Sequence, residues 1–338
     1  MTTIGWYVHH HGAGHLTRFL AVREHLDADV VVASSLPAPR TLPPRTTWVQ
    51  LARDDEPVPQ ADGSVRRPEH ASPTVHGLLH WAPLDHPGHR SRLTAIAALV
   101  TEHDVAAFVV DVSVEVTLLV RLLGVPTVVM TQPGDRSDLP HRLAYDAADR
   151  VIAPWRAGLH VSDALARVDD RVRYVGGISR FDGRAVADTA DDRGPAGRIV
   201  VLGSVGAPPP TGHVRAGAVS TGWTVLGSSA ETWHDDPWEI LRHADVVVSA
   251  AGQNSVADLA AIGARAVVVP QPRPFGEQVA TGRALRQHDL AVVVDAWPAE
   301  DAWPALLDRA RALEPAWERW GTRGAARRAA DAVMEVVS

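Results

Sequence analysis

At 338 residues the chain is long enough for two domains, each with its own core, and its 46% hydrophobic and 22% charged content is ordinary for a soluble globular enzyme. A net charge of −7 argues against a binder with a basic face, so no nucleic-acid partner is expected. The absence of cysteine excludes disulfides, thiolate chemistry and cysteine zinc sites, and fits a cytoplasmic location.

The chain starts MTTIGWYVHHHG, straight into a strand at residues 4–8, without the basic and apolar segments of a signal peptide. His9-His10-His11-Gly12-Ala13-Gly14-His15 then turns into a helix over about residues 16–26. Strands follow at 30–33 and 48–51. Over 52–92 the composition shifts to Pro, His, Asp, Gly and Arg with weak periodicity, which reads as a long functional loop or lid with one short helix. Helices at 93–101, 114–123 and 142–148 alternate with strands at 107–111, 127–131, 150–153 and 172–175. The alternation predicts a parallel, doubly wound sheet. The apolar run 116–130 is broken by Arg121, Gly124 and Pro126, so no membrane span is expected, although peripheral contact with the inner face of a membrane stays open.

Residues 176–197 are rich in Gly, Asp and Arg and read as a linker. A second α/β unit opens with the strand 198–202 and the turn Gly203-Ser204-Val205-Gly206. After a strand at 223–226 and a short helix at 237–242 comes the most informative stretch, ADVVVSAAGQNSVADLAAIGARAVVVPQPRPFGEQ, at 244–278. A short β-branched run is followed by Ala250-Ala251-Gly252, then by a helix capped by Gln253 or Asn254, with Val256, Leu259 and Ile262 at helical spacing. Such a helix start offers free N–H groups and a positive dipole end, and so suits phosphate. Asp258 lies one turn deeper on the face of Asn254, where its carboxylate could accept from a ribose hydroxyl. A helix over about 278–287, a strand at 291–294 and an Arg/Ala-rich helical tail over 302–338 complete the chain.

Other chemistries fit less well. Gly12 and Gly14 suggest a dinucleotide turn, but the third glycine and the acid after the second strand are missing. Strand alternation would point His9 and His11 away from His10, and His76 and His80 lack the Glu of a metalloprotease helix. Asp27 and Asp29 sit at the wrong end of the sheet to hold a metal diphosphate. No metal site is expected.

Together these motifs resemble the GT-B glycosyltransferases, and family 28 most. Gly12-Ala13-Gly14-His15 resembles the family's N-terminal glycine loop near the acceptor, and Gly203 to Gly206 its Gly-Ser-x-Gly turn near the donor diphosphate. Gly252 through Asp258 resembles the donor motif of a glycine followed six residues later by a helix acid, there usually Glu. Glu277-Gln278 resembles the acid-Gln pair that contacts donor-sugar hydroxyls.

The resemblance implies an α/β fold of two Rossmann-like domains facing across a cleft. The acceptor would bind residues 1–175 and the donor 198–316, while 317–338 would return to the first domain. It implies inverting transfer from a UDP-sugar, without cofactor or metal, to an acceptor hydroxyl of a small molecule, glycan or lipid-linked sugar. His15 is the first candidate for general base, with Asp111 and Glu115 next. Gln132 and Arg136 would line the acceptor side with Gly12 and Gly14. A nucleotide-sugar epimerase or hydrolase, or a non-catalytic sugar-nucleotide binder, are the alternatives.

Overall fold

Buried β-branched strands alternating with helices build two sheets in the computed structural model, which describes residues 2–184, 197–203, 214–216, 219–227, 229 and 231–337. The first half runs β1 (Thr3–Tyr7), α1 (Gly14–Arg23), β2 (Asp29–Ser34), β3 (Thr46–Gln50), the small hairpin β4 (Val58–Pro59) and β5 (Val65–Arg66), and α2 (Pro87–Glu102). It continues β6 (Ala107–Asp111), α3 (Val114–Leu122), β7 (Thr127–Met130), α4 (Leu139–Ala147), β8 (Arg150–Ala153), α5 (Asp163–Ala166) and β9 (Val172–Tyr174). The second half holds β10 (Arg198–Leu202), β11 (Val214–Ala216), β12 (Val219–Leu226), α6 (Trp238–Arg242), β13 (Val246–Ser249) and α7 (Gln253–Ala261). It ends with β14 (Ala266–Val268), α8 (Glu277–Gln287), β15 (Val292–Val293), α9 (Trp303–Ala312) and α10 (Ala325–Met334).

The first sheet is parallel in the order β3-β2-β1-β6-β7-β8-β9. The second runs β11-β12-β10-β13-β14-β15, parallel apart from the β11–β12 hairpin. Strand order therefore reverses between β1 and β6 in one sheet and between β10 and β13 in the other. Ligands of such sheets bind beyond the strand C-termini at these reversals. His9 to His15 and Asp111 lie at the first, and Gly203 and Ala250 to Gly252 at the second.

Three departures from the sequence reading have local causes. Helix α2 starts at Pro87, not near residue 93, because proline suits the first helical position and the His86 ring accepts the His89 N–H at 3.2 Å. The tail is two helices rather than one. Between them Gly321 and Gly324 adopt positive φ (68° and 73°), while Trp317 and Trp320 are buried. The start of the expected linker is packed, with Phe181 1% exposed and edge-on to Trp238 at 5.2 Å.

Helix α10 packs Ala325, Ala329 and Val333 into one apolar cluster with Ile4 and Trp6 of β1 and Phe19 of α1. The chain thus crosses between domains twice, and the crossings touch. A Cβ on Gly176 (φ +87°) would stand 2.1 Å from the Gly321 carbonyl oxygen, so that position needs glycine for both space and conformation.

Candidate functional site

The sharp turn after β1 is made by Gly12 at φ +86°, and it carries the chain into α1 with His15 in the first turn. His15 Nδ1 lies 3.0 Å from Oδ2 of Asp111, the last residue of the neighbouring strand β6. Nδ1 also lies 3.3 Å from Arg18 Nη2, so it faces a carboxylate and a guanidinium at once; with its hydrogen turned to Asp111, the Nε2 lone pair is left for a substrate proton. Asp111 is 1% exposed. Burial pushes its carboxyl up, but the Arg18 guanidinium and the His15 ring outweigh burial and hold it at about 2. Asp111 thus stays ionised but lies out of reach of an acceptor. It is an orienting partner of His15, not the alternative base.

Glu115 also takes a different role from the one expected. Its Oε1 accepts the backbone N–H groups of His80 (2.7 Å) and Trp81 (2.9 Å), and its Oε2 accepts from Ser113 Oγ. It fastens the 52–92 segment to the start of α3. That segment is correspondingly ordered. Asp54, 4% exposed, receives Arg92 and His89, and Arg92 donates to the Tyr7 hydroxyl at 2.6 Å.

Helix α7 meets this centre from the other domain. Its N-cap, Gly252, brings no capping side chain, and neither does Ala13 at the head of α1. Neither Gln253 nor Asn254 caps α7. Instead Asn254 Nδ2 donates to the Gly14 carbonyl at 2.5 Å, and Gln253 Oε1 accepts from Arg18 Nη1 at 3.0 Å. Two positive helix ends therefore face each other. The buried Arg18 Nε and Gln253 Nε2 between them have no hydrogen-bond partner among the described residues. The sequence reading missed Arg18. Its signal was an arginine one helical turn after His15, on the face that also carries the buried Phe19 and Val22.

The remaining donor-side residues divide. Asp258 is 2% exposed and spends both oxygens on the interdomain segment, one on Ser179 Oγ (2.7 Å) and one on Arg180 Nε (2.9 Å). It is a structural tie rather than a ribose ligand, because the short Asp side chain reaches Ser179 and Arg180 and stops there. Gln278 Oε1 accepts the backbone N–H groups of Ala251 and Gln271, leaving its Nε2 beside Gly252. Glu277 heads α8 and is partly exposed. Gly203 closes β10 at φ +75°, and Ser204, Val205 and Gly206 lie outside the described residues.

On the acceptor side, Arg136 is 6% exposed, bonded to Gln132 through both its backbone and side-chain oxygens, and lies over the Phe275 ring at 5.1 Å. Phe275 comes from the second domain, and its carbonyl accepts the Asp135 N–H at 2.8 Å. Arg136 and Phe275 border a cavity of about 760 Å³ between the domains, together with His160, Val279 and Arg283. Its lining contains neither His15 nor Asp111.

Solved structures match the whole path of the chain. MurG of Acinetobacter baumannii covers 99% of this chain and 100% of its own at 15% identity, with a TM-score of 0.57. A UDP-glucosyltransferase from Polygonum tinctorium, capable of glucosylating indoxyl and 3,4-dichloroaniline, covers 99% and 98% at 14% identity and a TM-score of 0.66. The chain has the GT-B fold. Within this GT-B frame, residues 228–300 match the Glycosyltransferase family 28 C-terminal domain. A further match, 40% identical over 107 residues, is to the UDP-N-acetylglucosamine--N-acetylmuramyl-(pentapeptide) pyrophosphoryl-undecaprenol N-acetylglucosamine transferase of Paenarthrobacter aurescens strain TC1. It spans 29% of this chain and 29% of that protein. On a chain of GT-B fold, the likeness to family 28 thus lies in residues 228–300 and in the 107 residues shared with that relative.

Proposed function

We propose that this GT-B protein is an inverting glycosyltransferase that moves a sugar from a UDP-sugar to an acceptor hydroxyl without a metal at the diphosphate. The observation that carries the proposal is the opposition of two uncapped helix ends with Arg18 Nε and Gln253 Nε2 between them, both unpartnered among the described residues, next to His15 beside Asp111. A diphosphate placed there satisfies the N–H groups of both helices and both orphan donors, and its charge is met by dipoles and a guanidinium. His15 Nε2 takes the proton of the acceptor hydroxyl as its oxygen attacks the anomeric carbon from the face opposite the leaving diphosphate. Attack from that face inverts the anomeric configuration.

The name of the Paenarthrobacter relative supports a UDP-linked donor, and a lipid-linked acceptor comes with it as one possibility beside small molecules and glycans. Among the described residues no helix is long and apolar enough to cross a membrane. We place the protein in the cytoplasm, with contact at the inner membrane face if the acceptor is lipid-linked. The test is a thermal-shift screen of UDP- and TDP-sugars, followed by nucleotide release with and without candidate acceptors. Stabilisation by a nucleotide-sugar and acceptor-dependent release of UDP are expected. Failure of every nucleoside diphosphate to stabilise the protein, or acceptor-independent release, overturns the proposal.

A further inference from the structure

The histidine run before Gly12 does not alternate as a strand would, because β1 ends at Tyr7 and the His11 N–H folds back onto His9 Nδ1 at 3.2 Å. His10 and His11 therefore turn to one side, their ring centroids 4.3 Å apart. Each presents its Nε2 to the same atom, Oδ2 of Asp55, at 3.4 Å. We propose that His10, His11 and Asp55 form a binding site for a divalent transition-metal ion of the zinc class, a site distinct from the diphosphate centre.

Three features carry this. The three donor atoms lie within 4.8 Å of one another, and two of the separations are 3.4 Å. Zinc bonds of about 2.0–2.1 Å in tetrahedral geometry put neighbouring ligand atoms about 3.3–3.4 Å apart. His10 is 8% exposed, and among the described residues neither of its ring nitrogens has a hydrogen-bond partner. A buried imidazole left so is costly, and metal ligation removes the cost at Nε2. Arg53 grips the outer side of the Asp55 carboxylate at 3.0 and 2.6 Å, which orients it and also weakens the hold on a cation.

Two imidazoles and one carboxylate suit zinc, nickel or cobalt better than magnesium. His11 is exposed, so the fourth position opens to solvent. Only the His9 ring separates His10 from His15, at centroid distances of 5.1 and 5.3 Å. The ion would fasten the 52–92 segment to the glycine turn. A second cluster, His80, Asp138 and His141, also has its donor atoms within 4.8 Å. There both His141 nitrogens and His80 Nε2 are already bonded to Asp138 and Arg136, so it needs no ion.

The experiment is calorimetric titration of zinc chloride into tag-free, chelator-treated full-length protein, repeated with His11→Ala, Asp55→Asn and His80→Gln. His11 is exposed and Asp55 partly so, and neither substitution disturbs the core. We expect one zinc per chain with a dissociation constant of about 10 µM or tighter. His11→Ala and Asp55→Asn should each raise it at least ~10-fold, while His80→Gln leaves it unchanged. No saturable binding, or unaltered binding in both His11→Ala and Asp55→Asn, overturns the site. Loss confined to His80→Gln does so too, by moving the ion to the other cluster.

Discussion

His15 and Asp111 divide one task, and their variants should fail in different ways. The ring faces the cleft with 11% of its side chain exposed, whereas the carboxylate is sealed beneath it. His15→Ala should bind UDP like the wild type, yet its kcat should fall at least about 100-fold, since removing a general base typically has that effect. A fall below ten-fold, or one confined to acceptor KM, would show that the ring only positions the acceptor. Asp111→Asn should instead be legible in stability against pH. The folded carboxyl sits at about 2 against an ordinary 3.8, so its stabilising effect is present above about 4 and is lost as pH falls toward 2. The gap in unfolding free energy between wild type and Asp111→Asn should therefore be about 2 kcal/mol at pH 6 and shrink as pH drops through that window. Chemical denaturation at pH 6, 4 and 3 measures it, and a constant gap contradicts the assignment.

At the scale of elements, the sequence displayed what depends on periodicity and turn chemistry. The strands at 107–111, 150–153 and 198–202 appear where their β-branched runs stand, and α7 follows its glycine turn. It could not display which end of a side chain is already taken. Asp258 and Glu115 sit at the right ends of their helices, but their carboxylates are spent on Ser179, Arg180 and the His80–Trp81 backbone, partners 79 and 35 residues distant that only the fold brings near. Arg18 escaped for the same reason, as its partners lie on β6 and α7. The loop joining β14 to α8 shows how such long-range fits can be tested. Gly134 has φ +103°, and a Cβ there would meet the Phe275 carbonyl oxygen at 2.3 Å. Gly134→Ala should break the Asp135–Phe275 hydrogen bond between domains and lower stability by roughly 1–3 kcal/mol. Small-angle scattering should show a more open molecule, and an unchanged radius with unchanged stability would mean that this contact does not hold the domains together.

At the scale of the whole molecule, two helix ends converge from separate domains and leave their positive poles unanswered within the described residues, so a diphosphate should draw the domains together. UDP should raise the melting temperature with the same affinity whether or not magnesium or manganese is present after chelator treatment. Affinity restored only by those ions would mean that the diphosphate needs a metal and that the helix ends do not suffice. The packing of α10 has another consequence. The alanines that roof Ile4, Trp6 and Phe19 are translated after nearly all of the second domain. A nascent chain that has just completed β9 therefore has that side of its sheet covered by α1 but not by α10, and at about 5–20 residues per second the missing helix follows roughly 8–30 s later. For that interval the first-made domain is the unfinished one, and during synthesis it, rather than the donor-side domain, should be the part that engages chaperones.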